Sequence, residues 1–224
     1  MDTYKLIKMK KPKIIYFFDT LCGWCYGFSP VMKQIVEKYQ DEFEFEVISG
    51  GMVTGERVQP ASVMADYILG AYKQVEDRTG VTFGEPFLDM LREGTRIQSS
   101  FEPALVLRTF KTFLPEKAVL FAHDLQKMNY SDGLDLNDFS NYQAVVEKYE
   151  INWTIFKEKM ETQAMNKATI QDFQISNAYE VTGFPAVFFE NETTRSPLVK
   201  GYQSFENLDD IMQQVIEYQK KEMA

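Results

Sequence analysis

At 224 residues, with 45% hydrophobic and 14% aromatic side chains, the chain is long enough for one enlarged domain or two small ones and too apolar to be disordered. Its 33 acidic against 24 basic residues leave a net charge of −9, which works against phosphate-backbone and anionic-membrane binding and excludes nucleic acid and membrane as expected partners. The polar, basic start MDTYKLIKMKKPK has no apolar leader core, and no run approaches the roughly 18 apolar residues of a membrane span. A cytoplasmic location is therefore expected, where a static disulfide between the only two cysteines would not persist.

In chain order, Ile14 to Asp19 (IIYFFD) is short, apolar and β-rich, as expected of a central strand covered on both faces. A helix is expected from the CGWC segment onward, because Phe28, Val31, Met32, Ile35, Val36 and Tyr39 recur at three- and four-residue steps. Pro30 lies inside it and should kink it without ending it, since the apolar period continues. Phe43 to Ser49 (FEFEVIS) alternates like a strand until Gly50-Gly51, so the opening is a βαβ unit whose first loop carries the cysteines.

Between Pro60 and Glu180 helical periods dominate, for example Val63, Tyr67, Ile68, Tyr72 and Val75, with breaks that fit five or six helices and no internal repeat. The strand signal returns at Pro185 to Glu190 and, more weakly, at Leu198 to Lys200, with NETTRSP as the turn between them. A last amphipathic helix is expected from Phe205 to Lys221. Neither end can close a sheet alone. The expected fold class is α/β with a large all-helical insertion: residues 1–55 and 165–224 form a discontinuous body, and residues 56–164 the insertion.

Cys22 and Cys25 stand three positions apart, a spacing open to a working dithiol, half a metal site or a cross-link. A structural zinc site needs four ligands, and only His123, in the helical run KAVLFAHDLQKM, remains; no metal and no cofactor is expected, and His123 is left out of the site. A C-x-x-C pair opening a helix sets the first sulfur near unpaired backbone N–H groups and the positive end of the macrodipole, which favours an anion there. Cys22 is thus the expected attacking thiol at the exposed helix end, and Cys25, one turn inward, the resolving one. A second motif, VTGFPA at Val181 to Ala186, enters the returning strand.

A strand ending in C-x-x-C, a helix with proline five residues after the second cysteine and a late X-Pro before a strand resemble the thioredoxin superfamily. With helices between the two halves, the chain is similar to its DsbA-like branch, which includes FrnE-type disulfide isomerases. The resemblance implies a thioredoxin-like fold and a thiol-disulfide oxidoreductase of protein or small-molecule disulfides, working through transient mixed disulfides and a thiol reductant. It also implies a cis-proline at Pro185 facing the cysteines, with Phe184 offering backbone groups to a substrate peptide. Trp24, Phe28 and Phe184 are the apolar side chains available to a substrate or a stable partner, with Phe28 equally open to a place in the core. Ser99, Ser100, Pro103 and Ala104 match an element at the start of an inserted helix and are expected to be structural.

The chain departs from the family pattern in two places. Tyr16 replaces the thioredoxin-type acid six residues before the first cysteine, while Asp19 stands three before it. The dipeptide Gly23-Trp24 is neither the proline-histidine of oxidising DsbA nor the glycine-proline of reducing thioredoxin, and without its histidine the reducing side of the range from about −270 to −120 mV is favoured. Two other readings share the architecture: a non-catalytic DsbA-like adaptor, and a kappa-class glutathione transferase or isomerase, which carries serine where Cys22 stands and is disfavoured for that reason.

Overall fold

The computed structural model describes residues 11–222, so residues 1–10 of the expected first segment lie outside the described residues. Strand β1 (Lys13–Phe18) is followed by helix α1 (Gly23–Tyr39) and strand β2 (Glu44–Ser49), which pairs with β1 in parallel. α1 runs unbroken through Pro30, because its buried face of Phe28, Val31, Met32, Ile35 and Val36 spans the proline and outweighs one lost backbone bond. β1 is apolar throughout because both its faces are covered. Ile14, Tyr16 and Phe18 enter the main core, while Ile15 and Phe17 enter a cluster with Ile48 and Phe188 on the opposite face.

Seven α-helices lie between Pro60 and Glu180 among the described residues, against the five or six expected: α2 (Ser62–Thr79), α3 (Glu85–Glu93), α4 (Phe101–Phe110), α5 (Ala118–Tyr130), α6 (Gln143–Glu147), α7 (Trp153–Met160) and α8 (Gln163–Ala178). The count rises because the apolar period through α7 and α8 is cut at Thr162, whose hydroxyl accepts from the Met165 N–H and starts a new helix. Two-residue strands β3 (Gln59–Pro60) and β4 (Ile97–Gln98) pair antiparallel across the base of α2 and α3, too short to show any alternation in sequence.

Strand β5 (Ala186–Glu190) pairs antiparallel with β1 and with β6 (Arg195–Lys200), giving one four-stranded sheet ordered β2-β1-β5-β6. β6 begins three residues earlier than the sequence indicates. The Asn191 side chain accepts from the N–H groups of Thr193 and Thr194, closing a tight turn, and Pro197 is tolerated because β6 is an edge strand. The final helix, α9 (Phe205–Glu222), packs Leu208, Met212 and Val215 into the main core.

The inserted helices share that core. Phe110 of α4 stacks on Phe121 of α5 at 3.9 Å between ring centroids, in the same buried cluster as Phe28, Val187 and Met212. A buried ionic group adds a polar tie. Lys111, just past α4, donates to the Val47 carbonyl at 2.7 Å and stands 3.7 Å from Glu46 and 3.8 Å from Asp172 of α8. α2 and α3 form a separate cluster around Phe83, Phe87 and Tyr130 that meets α1 at Tyr26. Among the described residues no helix is long and apolar enough to cross a membrane.

Candidate active site

β1 delivers Asp19 to the start of α1, where the Cys22 N–H donates to the Asp19 carbonyl at 3.1 Å. Cys22 is the N-cap residue, extended at φ −95° and ψ 112°, and its side chain does not cap the helix. Its thiol donates instead to the Phe184 carbonyl at 3.6 Å, across the gap between the two ends of the chain. The Phe184-Pro185 peptide bond is cis, and the Pro185 carbonyl accepts from the Gly201 N–H at 2.7 Å, fixing the loop to β6.

Both cysteines are free thiols, and they differ in environment. Cys22 keeps 8% of its surface and Cys25 none. Cys22 is thus at the helix end as expected but mostly covered, since Phe184 closes one side, and what remains open faces a cleft beside α2. Burial pushes the Cys25 thiol well above its ordinary value, the hydrogen bond and charge of Cys22 push the same way, and a backbone hydrogen bond from Asp19 opposes them.

Asp19 is buried and fully engaged. Its carboxylate accepts from the N–H of Leu21 at 3.0 Å, from the N–H of Met52 at 2.7 Å and from the Ser100 hydroxyl at 2.8 Å. Ser100 in turn accepts from the Val53 N–H at 3.0 Å, so three segments distant in sequence are tied behind the cysteines. Burial raises the Asp19 carboxyl above its ordinary value, and these hydrogen bonds only partly offset it. The structural part expected of Ser100 is visible here. Its target, Asp19, is 81 residues away, and no local pattern joins the two.

Tyr16 lies beneath the pair with its hydroxyl buried against Cys25. Burial pushes its phenol well above the ordinary value, and negative charge on Cys25, then Cys22, would push it further. Tyr130 is a residue that periodicity reads only as core. It is fully buried beside the same charges and lines the cleft that reaches Cys22.

Trp24 is half-buried, its ring 6.4 Å from that of Tyr202, and it lines the cleft. Phe28 does not belong to an apolar surface patch. It is fully buried, with its ring 5.8 Å from Tyr16 and 6.1 Å from Tyr202, because it falls on the inward face of α1. The Phe184 ring is seated on Gly50, where a Cβ would come within 1.8 Å of its Cζ, leaving the backbone of Phe184 as the part turned to Cys22. The His123 Nδ1 lies 2.7 Å from the hydroxyl of Ser29, four residues past Cys25 on α1.

Comparison with known proteins places this geometry. Among curated proteins the chain is similar to the ClpXP adapter protein SpxH of Halalkalibacterium halodurans, 22% identical over 203 residues, covering 86% of this chain and 63% of that protein. The SpxH of Bacillus subtilis is 21% identical over 207 residues, covering 89% of this chain and 67% of that one. Among solved structures, a candidate protein disulfide isomerase from Nitrosomonas europaea superposes with a TM-score of 0.81 at 22% identity, covering 93% of this chain and 99% of its own. The cytosolic disulfide reductase DsbM from Pseudomonas aeruginosa gives 0.73 at 19%, over 95% and 100%. The oxidoreductase NmDsbA1 from Neisseria meningitidis gives 0.58 at 8%, over 100% and 89%. These likenesses establish a shared DsbA-like fold. The thioredoxin family model matches residues 16–210, from β1 and its cysteines through the hairpin that returns beside them, and the chain belongs to that family.

Proposed function

We propose that the chain is a thiol-disulfide oxidoreductase in which Cys22 attacks and Cys25 resolves. The observation that supports this most directly is the asymmetry of the pair: a helix-end sulfur with some surface left, and a fully buried sulfur one turn inward with its thiol pushed up. A Cys22 thiolate attacks one sulfur of a substrate disulfide and expels the other as a thiolate, leaving a mixed disulfide. Cys25 then gives its proton to the thiolate expelled first and attacks the Cys22 sulfur, which closes a Cys22-Cys25 disulfide and releases the second substrate thiolate. Burial and the neighbouring Cys22 sulfur both hold the Cys25 thiol up, and the contribution of Cys22 ends when it enters the mixed disulfide.

Once the Cys22 thiol is consumed, the Phe184 carbonyl is free to accept an N–H from an extended substrate beside Pro185, as strand addition requires. Trp24 flanks the same sulfur. In this reading residues 1–55 and 165–224 form the body that carries the chemistry, and residues 56–164 supply the cleft next to it. Regeneration needs a dithiol, or two equivalents of a small thiol such as the GSH carried by the DsbM neighbour, in a cytoplasm that supplies it. The test is reduction of a protein disulfide by the wild type and by Cys22→Ser. Turnover by the wild type that vanishes in the variant is expected.

A second reading is an adaptor, as the SpxH relatives are named. It draws on the apolar side chains of α2 left in solvent, Val63 and Tyr67 among them. Equal activity of wild type and Cys22→Ser, with partner binding retained in both, would favour it.

A further inference from the structure

Helix α1 loses one backbone bond to Pro30, which has no N–H to give the Tyr26 carbonyl four residues earlier. Ser29 fills the gap: its buried hydroxyl donates to that carbonyl at 2.9 Å. The hydroxyl has a single hydrogen, so toward His123, 2.7 Å away on α5, it accepts, and the ring carries a hydrogen on Nδ1. Neutral and charged imidazole can both make that bond. Three residues on, and so on the same side of α5, Gln126 is wholly buried against the next turn toward the cysteines. With its amide turned so that both ends meet a complementary group, Nε2 donates to the Cys25 carbonyl at 3.1 Å and Oε1 accepts from the Tyr26 N–H at 2.9 Å. The opposite orientation offers one bond of 3.4 Å, to the Asp19 carbonyl. A primary amide is costly to bury without such partners, and an apolar side chain would fill the same space at less cost. Both α5 side chains therefore converge on one short stretch of α1, residues 25–29, whose first member bears the buried sulfur.

Cys22 is held by other means. Its N–H bonds to the Asp19 carbonyl and its thiol to the Phe184 carbonyl, neither of which belongs to α5. The one link is the Tyr26 N–H, shared between Gln126 and the Cys22 carbonyl at 3.0 Å. We infer, on the footing that Cys25 resolves the mixed disulfide, that His123 and Gln126 are positioning residues for that step, holding the turn that carries Cys25 where its sulfur can close on Cys22. Closure must bring the two sulfurs to about 2.05 Å within a narrow range of dihedral angle, so it depends on the placement of Cys25 more than the attack on substrate does, in which Cys25 takes no part.

The test is a single-turnover reaction of the reduced protein with an excess of a symmetric peptide disulfide, quenched in acid and read by mass spectrometry. Attack releases one peptide thiol and leaves the mixed disulfide on Cys22. Closure releases the second and leaves the Cys22-Cys25 disulfide, so the two rates are read separately and no reductant is added. Gln126→Met keeps the shape of the side chain and removes both polar ends; His123→Leu removes the ring donor, and His123→Asn puts an amide N–H close to the place of Nδ1. Since a misplacement of about 1 Å can cost on the order of 100-fold, loss of either tether should slow closure by about tenfold while attack stays within about twofold, and His123→Asn should close within about threefold of wild type. Melting temperatures check that each variant is folded, and the half-buried His123 carries the test should Gln126→Met not fold. Attack and closure slowed alike, closure unchanged, or His123→Asn no faster than His123→Leu would overturn the inference while leaving exchange intact. Release of no peptide thiol by the wild type would overturn the exchange reading itself.

Discussion

Asp19 ends the central strand almost out of contact with water, its two carboxylate oxygens taken by Leu21, Met52 and Ser100. Each charge-assisted bond is worth about 1.5 to 3 kcal/mol, against a desolvation cost of several kcal/mol for a buried ion, and here the cost prevails: the carboxyl is held above its ordinary value. Folding therefore takes up a proton between the unfolded and folded values. The stability that Asp19 contributes is complete below the unfolded value of about 3.9 and is lost as pH rises through the folded one. Asp19→Asn removes that titration. Its melting temperature relative to wild type should become more favourable between pH 4 and pH 7, measured by calorimetry, whereas an offset constant across that range would contradict the assignment. The same residue orders the loop after β2, so the variant also reports whether the site tolerates loosening behind Cys22.

At the scale of elements, the site is a junction between the end of β2 and the loop leading into β5. Gly50 donates its N–H to the Phe18 carbonyl at 2.8 Å, continuing the β1-β2 register, and bears the Phe184 ring on its bare Cα. Gly50→Ala has no backbone penalty to meet, but its methyl would occupy the place of that ring. Phe184 and the carbonyl beside Cys22 must then shift. A displacement near 1 Å at a reacting group costs on the order of 100-fold, so kcat/KM for disulfide reduction should fall by about that factor. A fall of less than threefold would show that Phe184 does not position the exchange. The sequence makes β1, α1, β5 and α9 legible because each has a clear apolar period or a continuous apolar run. It hides β3 and β4, which are too short for any period, and the start of β6, where arginine, serine and proline read as turn until Asn191 is seen closing the reversal. At the site, Cys22, Cys25 and Pro185 carry local motifs. The Asp19-Ser100 tie and the cleft do not, since both arise from elements that meet only after folding. Phe28 was open to two readings because helix periodicity assigns a face without saying whether that face meets core or substrate.

On the scale of the whole molecule, the sheet draws strands from both ends of the chain, and one continuous core runs from it into α4, α5, α6 and α7. The ionic tie of Lys111 with Glu46 and Asp172 spans the same boundary, and removing one partner from such a buried group costs about 3 to 5 kcal/mol. The chain should consequently unfold as one unit despite its inserted helices. Its two tryptophans report on opposite sides of that boundary, Trp24 on α1 and Trp153 on α7. Urea transitions followed by fluorescence in Trp24→Phe and in Trp153→Phe should keep near-parallel slopes and midpoints that match circular dichroism of the same variant; a fluorescence midpoint separated from the dichroism one would mean two independent units. The chemistry inherits this rigidity, because the helix end bearing Cys22 and the loop bearing Phe184 come from opposite ends of the chain and meet only through the sheet. The most direct measurement is mass spectrometry of Cys25→Ser and Cys22→Ser after each is mixed with a peptide disulfide at neutral pH. A mixed disulfide on Cys22 that persists in Cys25→Ser, clears on adding reductant, and has no counterpart in Cys22→Ser is the predicted result; adducts at similar rates on both variants, or on neither, would contradict the assignment of Cys22 as the attacking thiol and Cys25 as the one that resolves.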